Sequence, residues 1–370
     1  MSALRLPPLP SVRNIIKMYR LQAVKQLSQN FLLDENITNK IVKYVGKVPN
    51  SEVLEVGAGP GAITRSILRR LPKKLVIVEK DKRFKPTLEM LQDAYKTVNG
   101  KVDIFYDDIL SVDTKSLFSA ENARDWEDDC PPIYIVGNLP FSISTILIIK
   151  WLHAMSEQRG AWAHGRVKMT LTFQKEVADR LVAEVEQPHR CRLSVMAQAF
   201  TTPKLRFIIP GEAFVPKPDV DVGVVTFVPL ERPRTRHEFK LFEKITRHMF
   251  SFKQKRCIKC ARTLFPKVSQ IPMADELFNM ANVDPNVKAT YLSVEDINRI
   301  TTAYKSLCEK YPEIVEYNYR ASRRVITRKD TKSLSIQDYD EENDFSDIED
   351  DESDEDKPAD LKEIIASQKA

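Results

Sequence analysis

The sequence predicts a Rossmann-like α/β fold, a mostly parallel seven-stranded sheet followed by a smaller C-terminal helical domain. Three observations predict it. Apolar runs of strand length alternate with amphipathic helical stretches between residues 52 and 228, the pattern of strands paired in parallel and covered on both faces. A glycine-rich turn closes the first of those strands, where such folds bind nucleotide-like ligands. After Pro233 only helical periodicity remains.

In chain order, Glu52–Val56 reads as a buried strand, then comes the glycine turn and a helix to about Leu71. Residues 75–78 are a second strand, 84–95 a helix, 102–106 a third strand and 133–136 a fourth. Segments 169–173, 205–209 and 222–228 complete the sheet. Residues 119–132, charged and ending in Pro131-Pro132, predict a surface insertion. Helices are expected over 238–251, 253–264, 274–281, 293–309 and 312–324. The division that follows is a basic segment 1–28, an α/β domain 29–230, a helical domain 231–329 and an acidic, disordered tail 330–370.

Composition sets limits on function. Hydrophobic residues make up 42% of the 370 and charged ones 29%, as in globular proteins. No run approaches the roughly eighteen apolar residues of a membrane-spanning helix, so no membrane partner is expected. Five scattered cysteines fit a reducing compartment better than a disulfide framework. The net charge of +5 hides an asymmetry. Of 57 Lys+Arg and 52 Asp+Glu, 3 and 15 fall after residue 337, leaving 54 against 37, a net of +17, in the body. A body that basic suggests a polyanionic partner, although a solubilising surface would look the same. The tail could mimic such a polyanion or simply aid solubility.

Before Asp34 there is no acid, while Arg5, Arg13, Lys17, Arg20 and Lys25 supply positive charge. Ile15, Ile16, Tyr19 and Ala23 recur at helical spacing. An organelle transit segment has this character, and so does an RNA-binding arm or an ordinary first helix.

Two motifs carry chemistry. Glu55-Val56-Gly57-Ala58-Gly59-Pro60-Gly61 sits where a strand turns into a helix, but its G-x-G-x-G spacing is not the dinucleotide fingerprint. Glu79 closes the second strand, where an acid can accept hydrogen bonds from ribose hydroxyls, and Asp108 follows the third. Three elements at three successive strand ends describe an adenosine pocket without phosphate chemistry, as S-adenosylmethionine requires. The second motif, Gly137-Asn138-Leu139-Pro140-Phe141, follows the fourth strand. Adenine's exocyclic nitrogen is a poor nucleophile because its lone pair is delocalised into the ring. The Asn138 amide oxygen and the Leu139 carbonyl, the latter held by Pro140, can accept its two N–H bonds and favour a pyramidal nitrogen. Phe141 offers a stacking face for an extruded base. Neither a metal nor a strong base is needed.

These motifs stand in order with Gln29-Asn30-Phe31-Leu32, Phe173-Gln174-Lys175-Glu176-Val177, Arg192-Leu193-Ser194-Val195-Met196-Ala197-Gln198 and Phe214-Val215-Pro216-Lys217-Pro218. Together, from about Gln26 to Tyr304, they resemble the ribosomal RNA adenine dimethyltransferase family. Arg5-Leu6-Pro7-Pro8-Leu9-Pro10, Trp126-Glu127-Asp128-Asp129 and Phe at 141 are most similar to its animal mitochondrial branch. The resemblance implies an S-adenosylmethionine-dependent methyltransferase fold and N6 dimethylation of two adjacent adenosines in a 3′-terminal hairpin of small-subunit rRNA. It also implies the mitochondrial matrix, the assembling small ribosomal subunit as partner and a monomer, and leaves open a link to mitochondrial transcription. By motif, Gln29, Asn30 and Leu32 would close over the cofactor. Gly57 and Gly59 would line it, Glu79 would hold its ribose, and Lys80, Asp108 and Ile109 would meet its adenine. Asn138 would face its methionine end and the target nitrogen, and Phe141 and Phe214 would sandwich the target base. Ala58, Ala62 and Gly223 depart mildly from the family pattern. A cytosolic or nuclear relative and a non-catalytic transcription or assembly factor are the competing readings.

Lys253, Lys255, Arg256, Lys259 and Arg262 form a basic run that, in this family, contacts RNA; a solvated helix face is the alternative. Cys257-x-x-Cys260 lacks a second ligand pair, so no metal site is expected.

Overall fold

The computed structural model describes residues 6–19, 30–252 and 254–319. The acidic tail and residues 1–5 and 20–28 of the basic segment lie outside them. Within residues 6–19, helix α1 (Val12–Met18) starts at Ser11, whose hydroxyl accepts the Asn14 N–H, and buries Val12 and Ile15.

Short strand β1 (Phe31–Leu32) leads into α2 (Glu35–Val45), capped by the Asp34 carboxylate on two backbone N–H groups. Then follow β2 (Glu52–Val56), α3 (Ala62–Leu68), β3 (Lys74–Val78), α4 (Lys85–Lys96), β4 (Lys101–Phe105), β5 (Ile133–Gly137), α5 (Phe141–Ser156) and β6 (Lys168–Gln174). Helices α6 (Lys175–Val182) and α7 (Arg192–Phe200) precede β7 (Thr201–Ile209), β8 (Phe214–Val215) and β9 (Val222–Pro229). The main sheet has seven strands in the order β4-β3-β2-β5-β6-β9-β7. Pairs from β4 to β6 are parallel, and β9 runs antiparallel to both β6 and β7.

All five residues of β2 are buried. Alternation sends Leu54 and Val56 into one core cluster and Val53 into the other, across the sheet. The first cluster continues without a break into the C-terminal helices α8 (Phe239–Met249), α9 (Cys257–Ala261), α10 (Gln270–Ala281) and α11 (Val294–Lys310). Phe200 at the end of α7 packs on Phe239 and Phe242 of α8, with ring centroids 5.4 and 6.5 Å apart. Among the described residues no helix is long and apolar enough to cross a membrane.

Several boundaries differ from the expectation, each for a physical reason. Strand β7 begins at Thr201 rather than 205 because it is a sheet edge, where Pro203 is tolerated. Helix α10 begins at Gln270, with Pro272 in its first turn, where no N–H is required. The helix expected over 253–264 shrinks to α9 and a 3-10 turn, since a bridge to Lys288 holds Arg256 extended. Over 312–324 the described part holds only the 3-10 turn Pro312–Ile314.

The segment 119–132 is more than a surface insertion. Trp126 is buried and its Nε1–H donates to the Glu231 carbonyl at 2.9 Å. The buried Glu52 carboxylate accepts the Ser119 N–H and the Asn122 amide. Gly223 has a packing reason: a Cβ there would lie 2.4 Å from the Ala178 Cβ of α6. Cys257 and Cys260 are buried, and burial pushes the Cys257 thiol up to about 12.

Candidate active site

The cleft forms at the carboxyl ends of the parallel strands, where β2 gives way to Gly57-Ala58-Gly59-Pro60-Gly61. Gly57, Gly59 and Gly61 all have left-handed backbones, with φ of 70°, 55° and 82°, a conformation that glycine adopts without steric cost. Gly61 has a second constraint, because a Cβ would meet Leu91 at 2.4 Å. The turn bends back so that the Gly59 N–H donates to Glu79 Oε2 at 2.8 Å. Glu79 Oε1 accepts the Asp81 N–H, also at 2.8 Å. Two backbone donors therefore fix the Glu79 carboxylate while leaving lone pairs for a ligand. Burial raises its pKa, and those two N–H groups oppose the rise.

Glu55, one residue before β2 ends, lines the same cleft. It is 1% exposed and its Oε2 has no hydrogen-bond partner. Burial pushes this carboxyl up to about 8. In the sequence Glu55 stands only as the first residue of the glycine motif, with no role of its own. The available signal was an acid between Leu54 and Val56, inside the strand that leads into the glycine turn.

Beyond the ends of β3 and β4, Lys80 Nζ sits 2.8 Å from Asp108 Oδ2, and Asp108 Oδ1 accepts the Leu110 N–H. Burial alone would raise the Asp108 pKa, but these two donors outweigh it and hold it below the usual range. Ile109 beside it is buried.

The Asn138 side chain is held at both ends. Its Nδ2 donates to the Asn30 carbonyl at 3.1 Å, and its Oδ1 accepts the Thr172 hydroxyl at 2.8 Å. Thr172 is fully buried on β6, and no local pattern marks it in the sequence. Gly137 lets β5 reach this point: a Cβ would lie 2.8 Å from the Val56 carbonyl. Pro140 (φ −56°, ψ 133°) then starts α5. Leu139 is 2% exposed and Phe141 is half-buried.

A small ribbon closes the site from the other side. Strands β1 and β8 pair antiparallel, Phe31 with Val215 and Leu32 with Phe214. Residues 182 positions apart thereby present Leu32 and Phe214 to one cleft. Its lining brings together Asn30, Leu32, Gly57, Gly59, Glu79, Lys80, Asp108, Ile109, Asn138, Leu139, Pro140, Phe141 and Phe214. Gln29 lies outside the described residues.

The basic run lies elsewhere, on α9 and its approach. Lys255, Arg256 and Lys259 are exposed, and Arg256 donates to the Asn286 amide oxygen at 3.2 Å. Arg262 differs from the others because its Nε is buried without a partner. Lys253 is outside the described residues.

Comparison with known proteins bears on the family and the fold. The pattern of the family described as ribosomal RNA adenine dimethylase matches residues 20–306. Mitochondrial dimethyladenosine transferase 1 of Bos taurus is 47% identical over 331 residues, covering 90% of this chain and 96% of that one. The Homo sapiens protein of that name is 47% identical over 343 residues, with coverages of 93% and 97%. Among solved structures, a dimethyladenosine transferase from Plasmodium falciparum superposes with a TM-score of 0.57 at 20% identity, covering 74% of this chain and 96% of that one. The 23S rRNA methyltransferase ErmE gives 0.51 at 18% identity, with coverages of 75% and 100%. Both share the methyltransferase fold. By the extent of the family match and the identity to these relatives, this chain belongs to the ribosomal RNA adenine dimethylase family, enzymes that dimethylate adenine in rRNA with S-adenosylmethionine.

Proposed function

We propose that this enzyme dimethylates the N6 amines of two adjacent adenosines in the 3′-terminal hairpin of the small-subunit rRNA of mitochondria, in the matrix, as a step of small-subunit assembly. The observation that carries this reading is the single cleft in which Glu79, Asp108 and the Asn138-Leu139-Pro140-Phe141 turn meet Phe214. Its location rests on the mitochondrial relatives and on the acid-free basic segment before Asp34.

The residues present fit S-adenosylmethionine. Glu79 keeps lone pairs for ribose hydroxyls, and the unpartnered Glu55 oxygen leaves a further hydrogen-bonding atom for a polar ligand. Leu32, Gly57, Gly59, Lys80, Asp108 and Ile109 would line the nucleoside. When bound, the cofactor supplies an electrophilic methyl group on a sulfonium. Asn138 does the positioning. Its Oδ1 has two lone pairs, of which Thr172 takes one, and the other accepts an N–H of the target amine. Tethered by Asn30 and Thr172, the carboxamide is oriented before substrate arrives. Phe141 offers a face to a base extruded from the hairpin, and Phe214, which lines the same cleft but is 2% exposed, would meet that base once its ring is uncovered. Lys255, Arg256, Lys259 and Arg262 would contact phosphates.

Mass spectrometry of small-subunit rRNA from mitochondria depleted of this protein tests the reading. Loss of N6,N6-dimethyladenosine from the 3′ hairpin is expected, regained with the wild type and not with Asn138→Ala. Full dimethylation in depleted mitochondria would overturn it.

A further inference from the structure

We propose that the outer face formed by α2 and the edge strand β7 is a second RNA-binding surface, which grips the backbone of the substrate's stem beside the cleft. The inference rests on RNA being the substrate and extends its footprint to residues outside the cleft and the α9 region.

The face is built by a β-bulge. Along β7 the register steps from Leu205 opposite Val225 to Phe207 opposite Val224, leaving Arg206 as the extra residue. Regular alternation would put Leu205 and Phe207 on one side of the sheet. Instead Leu205 packs against the core cluster on one face and Phe207 against that on the other. The bulge therefore turns Arg206 and Phe207, consecutive residues, both toward α2.

There they form a stack with α2. Lys40 Nζ lies 4.2 Å from the Phe207 ring centroid, Phe207 and Tyr44 are 5.8 Å apart, and the Arg206 guanidinium sits 5.4 Å from Tyr44. The Thr226 hydroxyl pins Arg206 Nε at 2.7 Å. Lys43 follows Lys40 along α2, Lys47 lies just beyond the Gly46 cap that ends the helix, and Lys204 precedes Arg206; all five cations are exposed. Among the described residues none of them has a carboxylate partner within ion-pair distance. The acids at the head of α2 are engaged elsewhere, Asp34 as the helix cap and Glu35 with Arg69.

Five uncompensated cations interleaved with two aromatic rings match a phosphodiester backbone. Both elements lead to the cleft, α2 directly after Leu32 and β7 through the turn before Phe214. The stem beside an extruded adenine is thus the polyanion in reach.

The test is binding and single-turnover methylation of a hairpin RNA by the full chain, across a salt series. Lys40→Gln/Lys43→Gln/Lys204→Gln/Arg206→Gln should weaken RNA binding by about ten- to a hundredfold near physiological salt. The slope of log affinity against log salt should shrink by about three to four. Cofactor affinity and the rate at saturating RNA should stay near wild type. Lys43→Gln/Lys204→Gln, which leaves the ring stack whole, should show about half the slope change and serves if the quadruple variant fails to fold. Unchanged affinity and slope overturn the proposal. So does a loss confined to a protein-containing ribosomal particle with naked hairpin binding intact, which would assign the face to a protein. Aggregation with intact RNA binding also overturns it, making the lysines guards of a sheet edge. Wild-type binding without methylation would defeat the proposed function and leave this inference standing.

Discussion

The cleft and the α9 surface are both polar, but they are built in opposite ways. In the cleft the groups that meet ligand and substrate are tied down, Glu79 by Gly59 and Asp81 and Asn138 by Asn30 and Thr172. At the approach to α9, Lys255 and Arg256 are exposed, and Arg256 has one solvent-facing tie, to the Asn286 amide oxygen. A catalytic group works only within a few tenths of an ångström of its place, so its neighbours must hold it. A phosphate contact acts through charge over a longer range and adds to many others. Substitutions in the cleft should therefore cost rate or cofactor affinity, and substitutions on α9 should cost RNA affinity and salt dependence.

The largest expected effect is at Asn138. Asn138→Ala should slow single-turnover methylation by about 10²–10³-fold, as loss of one positioned polar group does in other active sites. Hairpin affinity should barely change. A rate within a few-fold of wild type would remove the distinction at its strongest point.

Next is Glu79→Ala, which should weaken S-adenosylmethionine binding by about ten- to a hundredfold, the scale of losing hydrogen bonds to a charged group. Calorimetry showing wild-type affinity would place the ribose elsewhere. On the other side, Lys255→Ala and Arg256→Ala should each weaken hairpin binding a few-fold and lower the salt slope by about one. Their rates at saturating RNA should stay within about twofold of wild type. A fall in rate without a fall in affinity would make α9 part of the cleft's machinery.

The smallest effect sharpens the contrast through Glu55. Its folded pKa of about 8 lies above the ordinary 4.5. The carboxyl is neutral in the fold at pH values where the unfolded chain ionises it. Its contribution to stability is complete below about 4.5 and is lost as pH rises through about 8. The unfolding midpoint of the ligand-free protein should fall over that window, and Glu55→Gln should flatten the fall. Parallel curves for the two proteins would show Glu55 ionised in the fold.

Local pattern determined a good deal here. The strand-length run of β2 with its three aliphatic residues, the glycine turn and the acids at successive strand ends place the cleft, because strand periodicity and left-handed turns are written in neighbouring residues. The order of motifs likewise placed Phe214 beside Phe141 by resemblance. Tertiary structure alone decided what holds those groups. Thr172 meets Asn138 across two strands, β1 pairs with β8 over 182 positions, and Trp126 turns a charged insertion into core. A bulge that brings Arg206 and Phe207 to the same side of β7 has no signature in a run of alternating residues, since it arises from register with β9. Side-chain chemistry and local backbone preference travel with the residue, whereas contacts between distant segments exist only once the sheet has set its order and register.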